Sequence, residues 1–274
     1  MRQLLTIGVV FAGAMWAQDA QRITMPFRDP SAPRKLNVDV MLGSVTIKGY
    51  EGRDAIIEYT PNGVPFPGAR RNNTPPEPPP PGMHRIGGGR GFDVTEDNNV
   101  VQVKGNGFFG SGDVTIQVPY DTAVTAKTMT GRTVTVDNIS GEIEANNMNG
   151  EVNVTNASGS VVAHSMNGKV IVSLNKVTPG KNMSFSTMNG NVDVTLPADT
   201  KANLKMRADN GEIYTDFDVK LDTLSTPQVE EEKTRSGKVR RRVRPEGTEQ
   251  GTINGGGAEM QFTTFNGRIL IHKK

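Results

Sequence analysis

The chain has 274 residues, 35% of them hydrophobic and 5% aromatic, and its 31 basic and 29 acidic residues leave a net charge of +2. So even a balance carries no nucleic-acid footprint, and so few aromatic residues argue against a large compact core built on big side chains. Cysteine is absent, which removes disulfides and makes a structural zinc site an unlikely basis for stability.

Residues 1–17 read as a secretory signal peptide. Arg2 supplies the positive start, Leu4 to Trp16 the apolar stretch, and Ala17 a small residue for cleavage. Cleavage after Ala14 or Ala20 is the alternative. The apolar stretch is shorter than the ~20 residues of a membrane span. Residues 18–274 are then expected as one exported domain, placed in the periplasm, the cell envelope or outside the cell.

Leu36 to Ile57 reads as strands. Leu36, Val38 and Val40 alternate with polar residues, Gly43-Ser-Val45-Thr-Ile47 repeats the phrase, and Ile56 to Tyr59 adds a short strand. Residues 61–91 interrupt the pattern with Pro75-Pro76-Glu77-Pro78-Pro79-Pro80-Pro81 and Gly87-Gly88-Gly89. Proline removes ladder donors and glycine raises chain entropy, so a disordered insertion is expected there. Strands resume at Phe92 to Thr95, Val100 to Lys104 and Asp113 to Val118.

From Ala123 onward one phrase recurs. It reads Met148-Asn149-Gly150-Glu-Val152-Asn-Val154, Met166-Asn167-Gly168-Lys-Val170-Ile-Val172, Met188-Asn189-Gly190-Asn-Val192-Asp-Val194, Asp209-Asn210-Gly211-Glu-Ile213 and Phe265-Asn266-Gly267-Arg-Ile269-Leu-Ile271. A second strand phrase lies in each interval, as in Ser140-Gly141-Glu-Ile143 and Ser158-Gly159-Ser-Val161. A repeated unit of about 20 residues with two strands and two corners marks a stacked β-solenoid. Ordinary Asn-Gly hairpins are the alternative, but they do not require the same residue types at matching places.

The corner residues are Asn149, Gly150, Asn167, Gly168, Asn189, Gly190, Asn210, Gly211, Asn266 and Gly267. Glycine and asparagine tolerate left-handed backbone, and stacked asparagines can form a hydrogen-bonded ladder. The methionine before each Asn-Gly is expected to fill the corner. After Gly131 the valines fall one position late, at 134 and 136, and a bulge is expected there. Residues 222–249 form a second, charged insertion containing Glu230-Glu231-Glu232 and Arg240-Arg241-Arg242.

Little in the chain carries chemistry. His84, His164 and His272 have no metal-ligand spacing, and Gly88 to Thr95 gives one incomplete copy of a calcium-binding nonapeptide. Glu142 and Glu144 share an outward face, but two carboxylates make a glycosidase only when they flank a groove. No catalytic, cofactor or metal residue is assigned. The basic run up to Arg244 offers at most a contact with anionic lipid or polysaccharide.

Leu36-Asn-Val38-Asp-Val40, Gly43-Ser-Val45-Thr-Ile47-Lys-Gly49, the strand ending Val118-Pro119, the serial Gly-x-Val-x-Val units, Leu196-Pro197-Ala198 and the terminal Gly257 to Ile269 together resemble the DUF4097 family of β-strand-repeat adhesin-type proteins, which includes LiaG-like proteins. The resemblance covers most of residues 33–274. It implies an all-β fold, a single-stranded right-handed β-helix or β-roll, exported or envelope-associated, with no catalytic motif. The expected function is therefore a non-catalytic adhesin or envelope interaction scaffold. Its partners would be envelope or surface polysaccharide or protein, with no nucleic acid and no cofactor. A polysaccharide-active β-helix enzyme and an envelope-stress regulatory or structural component are the alternatives.

Overall fold

Alternating apolar and polar residues give each segment two unlike faces, and such segments fold as strands joined by tight corners. The computed structural model describes residues 21–29, 31–61, 92–105, 112–222, 228–233, 239–244 and 248–274. The signal segment, His84, residues 62–91 of the proline-rich insertion and the glycines of the nonapeptide-like stretch lie outside them. The described residues contain no helix.

The strands in chain order begin with β1 (Gln21–Pro26), β2 (Lys35–Leu42), β3 (Val45–Tyr50), β4 (Asp54–Pro61), β5 (Phe92–Asp97), β6 (Val100–Gly105) and β7 (Gly112–Pro119). Units of two strands follow: β8 (Ala123–Thr130) with β9 (Thr133–Asp137), β10 (Ile143–Asn147) with β11 (Glu151–Ala157), and β12 (Val161–Asn167) with β13 (Val170–Leu174). Next come β14 (Met183–Asn189) with β15 (Val192–Leu196), and β16 (Ala202–Asn210) with β17 (Ile213–Thr215). The chain continues through β18 (Lys220–Leu221), β19 (Gln228–Lys233), β20 (Val239–Arg244) and β21 (Thr248–Ile253) to a last unit, β22 (Ala258–Asn266) with β23 (Ile269–Lys273).

The first strand of each unit joins an 11-stranded sheet and the second a 10-stranded sheet, both mixed and both open. Within each sheet the units pair in parallel. Val134, Val152, Val170, Val192 and Ile269 stand side by side along one sheet, and Ala126, Ala145, Ala163, Phe185 and Phe262 along the other. These residues are buried, and the inward faces of both sheets meet in one hydrophobic cluster. Each buried valine is worth about 1.5–3 kcal/mol relative to exposure. Where the small alanine column ends, Phe185 and Phe262 fill the space, their ring centres 5.2 Å apart.

The stack departs from chain order at both ends. β22 and β23 insert between the β14–β15 and β16–β17 units, while β2 and β3 insert between β6–β7 and β8–β9. The outermost units are thus β6–β7 and β16–β17. Antiparallel strands flank them: β4 pairs with β7, β5 with β6, and β21 with β16. β4 and β5, which bound the proline-rich insertion in sequence, lie at one end. The charged segment runs between β18 and β21 at the other. Within this charged insertion β19 and β20 form a two-stranded antiparallel sheet.

The corner between the two strands of each unit is lined by glycine. Gly112, Gly43, Gly131, Gly150, Gly168, Gly190, Gly267 and Gly211 succeed one another in the spatial order of the units. A Cβ on any of them after Gly112 would overlap the carbonyl oxygen of the glycine before it. Close approach is therefore the requirement. Left-handed backbone, the reason expected from the sequence, does not apply at Gly131, Gly150, Gly168 or Gly211, which are not among the glycines with positive φ. At the opposite corner that reason does hold, for Asn138 and Asn156, with φ of 60° and 53°.

No bulge follows Gly131. Val134 and Val136 pair regularly with Val152 and Val154, and the extra residue is absorbed in the Gly131-Arg132 corner. The register shift lies between Val154 and Ala157, in the pairing of β11 with β13. Gly168→Ala, which would push a methyl against the Gly150 carbonyl, is expected to cost about 1–3 kcal/mol. Urea denaturation followed by far-UV circular dichroism measures it, and a stability equal to the parent's would contradict the close-approach account.

Candidate functional site

The glycine corner carries two further columns. Asn167 and Asn189 end β12 and β14, and Asn266 and Asn210 end β22 and β16. Asn167 Nδ2 donates to Asn149 Oδ1 at 2.9 Å, Asn189 Nδ2 to Asn167 Oδ1 at 2.8 Å, Asn266 Nδ2 to Asn189 Oδ1 at 2.8 Å, and Asn210 Nδ2 to Asn266 Oδ1 at 3.0 Å. Asn149 Nδ2 begins the run by donating to the Met129 carbonyl at 3.2 Å. The asparagines next to the corner glycines thus form one continuous amide ladder across five units, in the spatial order and not the chain order.

Inside the corner sits a column of buried polar residues: Thr128, Asn147, Ser165, Thr187 and Thr264. Ser165 Oγ donates to the Gly150 carbonyl at 2.8 Å, Thr187 Oγ1 to Gly168 at 2.7 Å, and Thr264 Oγ1 to Gly190 at 3.0 Å. This column was not among the residues expected at the corner. Its signal was present: a Ser or Thr precedes Met129, Met166, Met188 and Phe265 on an inward position of the alternation.

The residue that follows each inward polar residue points outward. Met129, Met148, Met166, Met188 and Phe265 are 42%, 42%, 38%, 50% and 49% exposed. They do not fill the corner, because period-two alternation that turns Thr187 inward must turn Met188 outward.

On the outer face of the 11-stranded sheet, Lys35, Asn37, Thr125, Glu142, Glu144 and Val162 line a depression of about 310 Å³. Both carboxylates there are engaged. Lys181 Nζ donates to Glu142 Oε1 at 2.8 Å, and this hydrogen bond and charge hold the Glu142 carboxyl below its ordinary range. Lys127 Nζ lies 3.3 Å from Glu144 Oε1, which also accepts from Asn146 Nδ2 at 2.9 Å. A general acid in glycoside hydrolysis needs its pKa raised, the reverse of what Lys181 does to Glu142.

His164 Nδ1 lies 2.9 Å from Ser186 Oγ, and His272 sits between Asp216 at 3.3 Å and Asp193 at 3.6 Å. All of these groups are solvent-accessible. Among the described residues no group of three or more His, Cys, Asp or Glu could hold a metal ion. The run from Arg240 to Arg244 lies in β20, where the backbone register sets Arg240, Arg241 and Arg242 opposite Glu232, Glu231 and Glu230.

No family model matches the chain. No curated protein matches it either. Among solved structures, it is similar to a candidate cell adhesion protein from Clostridium sporogenes ATCC 15579, at 13% identity and a TM-score of 0.46, over 93% of this chain and 100% of that one. It is also similar to a candidate adhesin from Bacteroides fragilis NCTC 9343, at 11% identity and a TM-score of 0.35, over 94% and 98% of the two chains.

Two measurements probe this geometry. Asn167→Ala removes two ladder bonds and Asn210→Ala removes one. At about 0.5–1.5 kcal/mol per bond, with solvent exposure favouring the low end, Asn167→Ala is expected to cost roughly twice as much in urea denaturation. Equal losses would contradict a stability contribution that scales with the number of ladder bonds. Separately, Lys181→Ala is expected to return the Glu142 titration upward to the ordinary carboxylate range. The side-chain carboxyl carbon shift during an acid titration reads this directly.

Proposed function

We propose that this chain is an exported, non-catalytic β-solenoid of the DUF4097 type, coiled right-handedly with two strands per turn, that acts as an adhesin or cell-envelope interaction scaffold. The supporting observation is the unbroken register of the outward positions. On the 10-stranded sheet Thr115, Thr46, Thr135, Asn153, Ile171 and Asp193 stand in one row. On the other sheet Asn37, Thr125, Glu144, Val162, Ser184 and Gln261 do the same. Neighbouring residues in such a row repeat at the strand spacing of about 4.8 Å. Extended, mostly polar rows suit a long partner that makes many weak contacts, such as an envelope polysaccharide or a surface protein, better than a small substrate that must be enclosed.

Signal cleavage and export follow from the reading of residues 1–17. Cell fractionation with N-terminal sequencing of the mature product is expected to find the protein outside the cytoplasm, lacking its first 17 residues. Pull-down with purified envelope polysaccharide and envelope protein is expected to retain it. Retention no greater than that of a variant with a charged residue placed at Thr135, Asn153 and Ile171 would sink the role of these rows.

A further inference from the structure

We propose that the outward methionine stripe formed by Met41, Met129, Met148, Met166 and Met188 binds a soft monovalent cation, Cu(I) or its analogue Ag(I), through thioether sulfurs on adjacent units. The register brings these residues together. The pairs Val40–Thr128 and Leu42–Thr130 set Met41 beside Met129. The Asn147–Thr128 and Asn147–Ser165 pairs, with the Asn167 amide donating to the Met148 carbonyl, set Met148 between Met129 and Met166. The Ser165–Thr187 and Asn167–Asn189 pairs set Met166 beside Met188.

Five consecutive units therefore carry methionine at one outward position. The sulfur run stops where Phe265 and then Asp209 take that position. Packing does not account for the choice, since Met129, Met148, Met166 and Met188 are exposed. Apolarity alone does not account for it either. Exposed apolar positions elsewhere on the sheets take aliphatic residues, as Val162 does, whereas no aliphatic residue stands in the stripe from Met41 to Met188.

The spacing suits the ion. Strands repeat at about 4.8 Å, and a metal–sulfur bond of about 2.3 Å spans about 4.6 Å across a linear sulfur–metal–sulfur bridge. Three rotatable bonds let each thioether close the difference or offer a third sulfur. Neutral thioethers select soft ions such as Cu(I) over Zn(II), Ca(II) or Mg(II). They need not lose a proton to bind, and no cysteine in the chain competes.

The test uses the full chain with 13C-labelled methionine methyl groups. Ag(I) titration is expected to shift the methyl signals of Met41, Met129, Met148, Met166 and Met188 and to leave the buried Met183, Met206 and Met260 in place. Cu(I) affinity is read anaerobically against a chromogenic chelator. The variant Met129→Leu/Met148→Leu/Met166→Leu/Met188→Leu keeps the stripe apolar and is expected to lose at least about tenfold in Cu(I) affinity. His164→Gln, a nearby imidazole control, is expected to lose none. Unmoved stripe methyls under excess Ag(I), a leucine variant that binds as the parent does, or equal shifts with Zn(II) would each overturn the proposal. Should the leucine variant fail to fold, the methyl map of the parent decides alone.

Discussion

The structure depends on how closely one corner lies on the next. At each unit the glycine of the Asn-Gly phrase rests against the carbonyl oxygen of the preceding corner glycine, in the space a Cβ would occupy. Any side chain there would lift one unit off its neighbour. The strands on both sides of the corner would then lose the spacing at which their backbone hydrogen bonds form. The same carbonyl has a second use. Gly150 O, which excludes a Cβ at Gly168, also accepts the Ser165 hydroxyl, and Gly168 O stands in the same relation to Gly190 and Thr187. Close approach and hydrogen bonding thus converge on one atom per unit. The asparagine ladder on the outside is a consequence, because amides one residue from such corners are brought within 3 Å of each other.

Much of this was legible in the sequence. The repeated phrase disclosed the unit, its two strands and the inward valines, since period-two alternation leaves few other placements for Val152 and Val154 or Val170 and Val172. The polar column was legible too and was missed, because Ser165 and Thr187 look like ordinary strand polar residues until their parity is counted. The methionines were misread for the same reason. Met is a common gap filler, yet parity sends Met166 and Met188 outward. The purpose of the corner glycines was not legible, because one chain segment does not reveal how near another segment will lie.

The order of units at the ends was not legible for a different reason. Every unit offers its neighbour the same kind of surface, so Val192 can accept Ile269 as readily as Ile213, and β15 in fact pairs with β23 while β17 lies beyond it. Local sequence does not encode the choice. What permits it is chain length between units, and the two long segments occur where the order changes. Inserting an inner unit leaves the outermost parallel unit next to chain that can fold back antiparallel. β4, β5 and β21 do so and cover edges that would otherwise present unpaired donors and acceptors to other molecules.

The outward faces follow different rules from the core. Strand spacing is set by the backbone, so evolution can vary only which side chain stands at each point of a lattice already drawn. Where charges stand there, some are balanced within the lattice: Glu144 of β10 meets Lys127 of β8, and Glu142 meets Lys181. Such pairing leaves rows that are polar without carrying a strong field, beside an edge where thioethers and amides run in parallel columns. A partner of the kind proposed would read a surface of this kind by its period more than by its shape. Changing one outward residue should therefore weaken a contact in proportion to one unit in the row, whereas moving a corner shifts every contact beyond it.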